Sequence, residues 1–468
     1  MAARANPFPS LMSENPPQLR ARLAELLDAL GCGLIERDTA IRVTLLTALA
    51  AEHVLLIGPP GTAKSELARR LHLAFRDAAY FERLLTRFSV PEELFGPLSI
   101  AALERDRYER QTAGFLPTAS IAFIDEVFKA NSAILNALLT LLNEREFDNG
   151  AHRVATPLIT VVGATNDVPE DEIVAAFYDR FLVRMELGPV SAAAFFDLVR
   201  LPLEQGLSVP ERLRIGRDEL QRLAAAVDAV VLPEVVVHLL ADLRAHLRAQ
   251  DIYVSDRRWR KLVKLLKTAA LTDGRDRVTV WDVWLAQFCT AQRPEQQQAV
   301  AQWYATRLGT WRALDPERMQ RVIAAFEAQL ELEVNAADLN YDAAGHLSLD
   351  DAINDAKGGA QAPRMTFMRT RRYGDTHIGA RVAQVQQLID AIDGYVLDLD
   401  ATLREVATEV AAHLWLARDF AATATRNLEQ TRANVLTLRA RAQDVRDGFS
   451  ALPRLAADDE VTPAPIAA

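Results

Sequence analysis

HVLLIGPPGTAKSELARRLHLAF, residues 53–75, decides the fold. A short β-rich run, His53 to Ile57, meets a turn made of glycine and proline, and an apolar helix begins immediately after it. A strand that turns straight into a helix presents the helix's unpaired first N–H groups, and small residues let them close around an anion. Gly58, Pro59, Pro60, Gly61, Thr62 and Ala63 form such a turn. Lys64 supplies a point charge for the outer phosphates of a nucleotide, Ser65 a hydroxyl for Mg2+, and Glu66, which continues the helix start, is the last residue of the stretch expected to bind the nucleotide. The strict phosphate-loop pattern has glycine where Ala63 stands, so the stretch alone also fits a plain strand–turn–helix corner.

The next strand narrows the choice. Ile121 to Glu126, IAFIDE, is an apolar run ending in two acids, with Asp125 placed 61 residues after Lys64. Side chains alternate along a strand, so neighbouring carboxylates at its end take separate tasks. Asp125 is expected to hold Mg2+ and Glu126 to polarise an attacking water. A helix N-terminus, which favours acids, explains the pair without chemistry. A third run, Leu158 to Ala164, LITVVGA, leads through Thr165 to Asn166 at the same carboxyl edge, where ligands of open α/β sheets bind. Asn166 either orients the lytic water or contacts the γ-phosphate, or simply makes an Asx turn. Together the three elements predict an ATPase core with ATP and Mg2+ as cofactors.

Outward from these strands, Pro17 to about Pro189 alternates helical patterns with short apolar runs, including a weaker strand within Tyr80 to Phe88. That alternation predicts an α/β fold, a parallel sheet flanked by helices. Beyond Pro189 the pattern is helical only, through Ala192–Arg200, Asp218–Val230, Pro233–Arg248, Ser255–Ala270 and Val280–Gln292. Glu295 to Leu332 is helical again, Asn335 to Tyr373 is polar and glycine-bearing, and Ile378 to Val445 carries a heptad seam. The seam includes Val385, Ile389, Ile392, Val396, Leu399, Leu403, Val406 and Val410. Unbroken, it makes a rod on the order of 100 Å, with Gly394 or Asp398 to Asp400 as the places to break it. It serves either an intramolecular hairpin or an intersubunit coiled coil. The expected divisions are a flexible tail at 1–18, the α/β core at 19–190, a helical lid at 191–294, a discontinuous helical extension at 295–334 and 374–450, a short insert at 335–373, and a disordered tail at 451–468.

Half of the 468 residues are apolar and a quarter charged, which excludes wholesale disorder and allows two to four domains. The 53 Lys and Arg against 63 Asp and Glu leave a net charge of −10, which argues against binding nucleic acid or an anionic membrane. The most apolar stretch, Ile41 to Gly58, is interrupted by Arg42, Glu52 and His53, so no stable membrane insertion is expected. The first twenty residues lack the apolar segment of a secretory signal. Cys32 and Cys289 are too few for a disulfide framework or a cysteine metal site. A cytoplasmic protein is the expectation.

The chain resembles the MoxR group of AAA+ ATPases, and within it the RavA subfamily. The resemblance rests on EHVLLIGPPGTAKSELARRL at Glu52–Leu71, ELFGPLSI at Glu93–Ile100, YERQTAGFLP at Tyr108–Pro117, FYDRF at Phe177–Phe181 and YVSDRRW at Tyr253–Trp259. RavA-like proteins also tolerate alanine at the Ala63 position. The resemblance implies an AAA+ P-loop core, an all-α lid and an α-helical C-terminal extension. It implies that Arg180 is an arginine finger reaching a neighbouring subunit's site, where such a group is worth roughly 10³ to 10⁵ in rate. A salt bridge to Asp179 or Glu186 is the plainer role for Arg180. Arg257 matches the arginine that reads the γ-phosphate from the lid, with Arg258 one position away as the alternative and a solvated basic helix face as the plainer account of both.

The same likeness implies a hairpin at Phe147–Thr156, where Asn149-Gly150 is itself a turn signal. A second hairpin is implied within Leu98–Ala119, with Tyr108 and Phe115 as substrate contacts or packing anchors. It further implies a homo-oligomeric ring, most simply a hexamer, an unidentified client protein, and a partner bearing a von Willebrand factor A domain. The insert at Asn335–Tyr373 is too short for the compact β-rich domain that binds a lysine decarboxylase in the best-known RavA architecture, so that partner is not carried over. Two other functions compete with a remodelling motor. One is an ATP-gated scaffold with slow hydrolysis; the other is a nucleic-acid motor, which the net charge and the lack of a DNA-binding module oppose.

Overall fold

The computed structural model describes residues 16–168, 172–202, 207–307, 316–339 and 368–455. They form two units: Met1–Thr306 with Thr408–Ala422, and Arg307–Ala407 with Thr423–Ala468. In the first unit the strands are β1 (His53–Ile57), β2 (Tyr80–Leu84), β3 (Ile121–Asp125), β4 (Glu146–Asn149), β5 (His152–Ala155), β6 (Thr160–Thr165) and β7 (Phe181–Glu186). Five of them make one parallel sheet in the order β2-β3-β6-β1-β7. β1 and β6 are buried along their whole length, as the run of aliphatic residues requires. The helices α1 (Pro16–Gly31), α2 (Asp38–Leu49) and α3 (Lys64–Leu73) belong to the layers around the sheet, and Ala40 to Leu49 of α2 are all buried.

His53 shows how tightly the amino end of β1 is held. Its ring is buried; Nδ1 accepts from the Val161 N–H at 3.0 Å, which leaves Nε2–H to donate to the Leu142 carbonyl at 3.0 Å. Burial, with Arg145, Lys261 and Lys264 nearby, pushes its pKa well below the ordinary 6.5, so the ring is neutral.

The anticipated strands form, and β7, FLVRME, is an additional one that the residue pattern hid. Arg184 breaks its apolar run, yet the side chain is buried with its guanidinium 3.8 Å from the centre of the Tyr178 ring. It donates to the carbonyls of Ala291 and Tyr178 at 3.2 and 3.1 Å, and burial, reinforced by Arg258, lowers its pKa to about 9. The Phe147–Thr156 hairpin is β4 paired with β5 about a left-handed Gly150, where a Cβ would lie 1.9 Å from the Tyr108 carbonyl oxygen. Leu98–Ala119 differs from the expected hairpin. Apart from one antiparallel bridge, Leu98 with Arg110, it follows α4 (Pro91–Phe95) with the four-residue α5 (Ile100–Leu103) and loop. Tyr108 is exposed, and Phe115 packs beside the core that includes Phe95, Phe147 and α6 (Ser132–Glu144).

After α7 (Glu172–Tyr178) and α8 (Phe195–Arg200) come the lid helices α9 (Arg217–Val227), α10 (Glu234–Ala249), α11 (Asp256–Thr272) and α12 (Ala286–Thr290). α13 (Pro294–Arg307) was expected in the extension but, through Thr306, lies in the first unit. Its Tyr304 hydroxyl donates to the Val280 carbonyl at 2.9 Å, and Trp303 stacks on His246. Residues 408–422 also return to this unit, where Trp415 is wholly buried and donates through Nε1 to Thr272 Oγ1 at 2.8 Å. His413 beside it contacts Asp282 at 3.0 Å within a cluster that joins Arg275, Asp273 and, through Asp273, Arg20 of α1. Phe420 packs against Trp281, Trp284 and Tyr304.

The second unit contains α14 (Pro316–Val334), a short β8 (Ala337–Leu339) paired antiparallel with β9 (Met368–Thr370), α15 (Asp375–Glu405) and, from Thr423 onward, α16 (Phe420–Ser450). Arg432 meets Asp400 at 2.6 Å, Arg439 meets Asp393 at 3.1 Å and Arg446 meets Gln386 at 3.1 Å, a stepwise pairing that makes the two long helices antiparallel. The seam therefore closes within the chain, burying Val385, Ile389, Ile392 and Leu399 with Leu428 and Val435. The helix runs through Gly394 and Asp398–Asp400 and breaks instead at a π-helical turn, Val406–Val410. Residues 1–15, 340–367 and 456–468, which hold most of the tails expected to be flexible and disordered and most of the expected insert, lie outside the described residues; of those tails, Pro16 already opens α1 and Arg454 pairs with Tyr373. No helix among the described residues is long and apolar enough to cross a membrane.

Replacing Trp415 with Ala is expected to cost about 3 to 5 kcal/mol in urea denaturation, the range for deleting a buried aromatic. Trp415→Phe should lose only about 1 kcal/mol, the worth of the Thr272 hydrogen bond. No change for Trp415→Ala would show that residues 408–422 are not part of the first unit's core. A second expectation concerns His53. Its folded pKa lies below the unfolded value, so stability is full above pH 6.5 and falls as the unfolded chain takes up a proton that the native ring refuses. The slope is up to about 1.4 kcal/mol per pH unit. Thermal melts between pH 7.5 and 5.5 should show this decline, flattened in His53→Asn.

Candidate active site

The chain leaves β1 at Ile57 and Gly58 turns it under Leu187, so close that a Cβ at Gly58 would sit 2.2 Å from the Leu187 carbonyl oxygen. Gly61 is left-handed, with nothing within 4 Å of where its Cβ would be. Ala63 is left-handed too, at φ 69°, which explains why glycine is the usual residue there and costs alanine roughly 1–2 kcal/mol. Thr62 donates from Oγ1 to the Pro59 carbonyl at 2.9 Å, while Arg37 ties the carbonyls of Thr62 and Gly188 together at 3.2 and 2.7 Å. Pro59, Pro60 and Gly61 are exposed along this turn.

α3 opens at Lys64, so the backbone N–H groups of Lys64, Ser65 and Glu66 stand in its first turn with no helical acceptor, while Leu67 N–H already bonds the Ala63 carbonyl. Glu66 contributes only this N–H, because its carboxylate is taken by Arg70 at 2.7 Å. Lys64 is buried, and its ammonium donates to the carbonyls of Gly58 and Pro59 and to Asn166 Oδ1 at 3.1 Å. A buried cation satisfied by three oxygens at a helix N-terminus is a ready site for phosphate oxygens.

Parallel pairing brings the other elements to this point. β6 lies between β1 and β3, with Ile57 opposite Thr165 and Ile124 opposite Gly163, so Asn166 emerges between the phosphate loop and the acids. Its Nδ2 donates to Glu126 Oε1 at 2.5 Å while Oδ1 accepts from Lys64, which fixes the amide's orientation. Glu126 sits in left-handed backbone at φ 51°, an unfavourable conformation for a non-glycine residue, and its second oxygen faces Lys129 Nζ at 3.3 Å. Asp125 ends β3 and accepts from the Glu126 N–H at 3.0 Å. Ser65 and Asp125 are hard oxygen donors and too few to cage a metal. Among the described residues no cluster of three or more His, Cys, Asp or Glu could do so. Such a set suits Mg2+, which keeps waters and substrate phosphates as most of its ligands.

Arg180 and Arg257 are elsewhere. Arg180 directly precedes β7, whose Phe181 pairs with His53, so it lies at the amino edge of the sheet, about 16 Å of strand from the phosphate loop. Arg257 lies there as well, bonded to Asp179 at 2.6 Å. Neither reaches its own chain's loop. Arg258 is buried, donating to the carbonyls of Cys289, Phe181 and Leu182 at 2.8, 2.9 and 2.6 Å, and so is engaged in holding lid to core. Asp179 is shared by Arg257, Arg258 and Arg184, and Glu186 is at the far end of β7. Arg180 has no carboxylate partner among the described residues, and its Nε is buried without an acceptor. Sequence reasoning overlooked Arg37 and Lys129. Lys129, three residues after Glu126, carried a spacing signal; Arg37, from before the strand, carried none.

Comparison with known proteins agrees with this geometry. The family described as "MoxR domain in the MoxR-vWA-beta-propeller ternary systems" matches residues 21–225, and an "AAA lid domain" matches residues 235–304. Two uncharacterised proteins of Methanocaldococcus jannaschii are similar to the chain. One is 40% identical over 268 residues, 57% of this chain and 69% of that one; the other is 38% identical over 278 residues, 58% and 72%. Protein MoxR of Paracoccus denitrificans is 29% identical over 197 residues, 41% of this chain and 57% of that one. With these matches over its phosphate loop, its acidic strand end and its helical lid, the chain belongs to the MoxR group of AAA+ ATPases.

Proposed function

We propose that the protein is a ring-forming, Mg2+-dependent ATP hydrolase that remodels or activates a client protein together with a von Willebrand factor A domain partner. The observation that carries this reading is the hydrogen-bonded series Lys64–Asn166–Glu126, which aligns a phosphate-binding cation with a carboxylate across three adjacent strand ends. In it the first-turn N–H groups of α3 and Lys64 bind and orient phosphate oxygens. Ser65 and Asp125 would hold Mg2+, which supplies charge neutralisation at the phosphates when bound. Glu126 polarises the attacking water, and Asn166 keeps its carboxylate in position.

Arg180 and Arg257 lie at the opposite edge of the sheet and would serve a neighbouring subunit's nucleotide, which is the reason for proposing a ring. The vWA partner is supported by the ternary system named in the matching family's description. A second reading, an ATP-gated scaffold with slow hydrolysis, is favoured by one feature. Both oxygens of Glu126 are already engaged, by Asn166 and Lys129, and water must compete for them.

Two inactive variants distinguish the readings. Glu126→Gln and Arg180→Ala should each lower ATP turnover by about 10³-fold or more. Mixed in equal amounts and reassembled, they should regain roughly a quarter of wild-type activity, the share of interfaces pairing an intact Glu126 with a neighbour's intact Arg180. No recovery would exclude action across a subunit boundary, and equal negligible rates in all three proteins would exclude the motor. Asn166→Ala should lower kcat by about 10²-fold while nucleotide affinity, set by the loop and Lys64, stays close to wild type in equilibrium titration.

A further inference from the structure

Three adjoining hollows run along α9 at the amino edge of the sheet, opposite the nucleotide site. The first, about 600 Å3, is bounded by Arg76, Ser120, Ile215 and Arg217. The middle one, about 220 Å3, is walled by small and apolar residues, among them Ala48, Ala51, Pro157, Leu158, Leu220 and Ala224. The third, about 600 Å3, lies between the end of α9 and the outer face of α11, with Arg260, Lys264 and Lys267 on its wall. Neighbouring hollows share walls: Pro157 and Leu220 between the first two, Val227 and Lys264 between the last two.

The charge here runs against the rest of the molecule. In the first hollow Arg76, Arg217 and Arg222 are matched by Asp77, Asp218 and Glu219; the excess of cations lies around the third, where Arg257, Arg260, Lys261, Lys264 and Lys267 meet only Asp228 on its wall, although the chain carries a net −10. Lys261 and Lys264 share the single carboxylate of Glu52. Arg217, Arg260 and Lys267 have no carboxylate partner among the described residues; Lys267 reaches only the Asp228 carbonyl. Arg217 stands at one end of the apolar hollow, Arg260 and Lys267 beyond the other.

We infer that this groove docks an acidic amphipathic helix of a partner protein. A row of apolar side chains at helical spacing would fill the middle hollow, and flanking carboxylates would neutralise Arg217 at one end and Arg260 with Lys267 at the other. A nucleic-acid backbone would satisfy the cations but leave the apolar floor uncovered, and a small anion would use only one end. α9, with 11 residues, spans about 16 Å, the length of about three helical turns of an occupant. The groove and this chain's own phosphate loop are on opposite edges of the sheet; Arg257, which also borders the third hollow, is left to the neighbouring subunit's nucleotide on the proposed reading, so the docking charge is carried by Arg217, Arg260 and Lys267.

The test is fluorescence anisotropy on the full-length protein with a labelled helical peptide of about 16 residues, leucine every third or fourth position and glutamate elsewhere. The comparison probes are a scrambled peptide of equal composition, its lysine counterpart, and a duplex of roughly 20 base pairs. The ordered acidic peptide should bind at least about tenfold more tightly than the scrambled one. Ala224→Trp, which fills the middle hollow from an exposed helix position, and the charge reversal Arg260→Glu with Lys267→Glu should each weaken it by a similar factor. Equal binding of ordered and scrambled peptides, a preference for the duplex, or no binding of any probe would overturn the inference. So would a groove variant that changed the sedimentation coefficient of the free protein without affecting peptide binding, because the occupant would then be a second copy.

Discussion

Parallel pairing of five strands is the constraint on which the rest of the first unit depends. Because β1, β6 and β3 all point the same way, their carboxyl ends assemble the phosphate loop, Asn166 and the acids without long loops to carry them. The same pairing sends the residues before each strand to the other edge. Arg180 is thereby separated from its own chain's loop by the length of β7, whatever the rotamer of its side chain. On the proposed reading, a geometry that completes one half of a reaction centre would leave the other half to a neighbouring subunit, so the proposed ring rests on strand direction more than on any single contact.

Within the site, polar groups are matched closely. Lys64 is too buried to stay unpaired, and its partners are carbonyls of its own loop and the Asn166 amide. Asn166 is suited to its place because it is both donor and acceptor; an acid there would face Glu126, and an apolar residue would take one partner from each neighbour. Two left-handed residues without glycine's freedom, Ala63 and Glu126, flank this arrangement. Unfavourable backbone at the turn into α3 and at the carboxylate itself shows that the surrounding hydrogen bonds outweigh it.

Much of this was legible in the residues. The loop, Asp125, Glu126 and Asn166 were readable because each sits at the end of a short apolar run, and strand ends in a parallel sheet share an edge. β7 was not, because a buried Arg184 looks like an exposed one until Tyr178 and two carbonyls are seen around it. The choice between Arg257 and Arg258 was open for a similar reason: adjacent arginines read alike, and only the carbonyl cradle around Arg258 separates a structural cation from an available one. The helix break was misplaced because Gly394 is a weak breaker inside a packed seam, whereas the return of Trp415 to a distant core left no local trace. The Leu98–Ala119 segment follows loop and short helix, since Phe115 is drawn to the core and Tyr108 is left outside.

The chain crosses between its two units near residues 306, 407 and 422, and the short stretch between the last two crossings places Trp415 in the ATPase unit's interior. The extension is thus sewn in rather than appended. A fusion at one end cannot supply both long helices, because the 408–422 return between them belongs to the first unit's core.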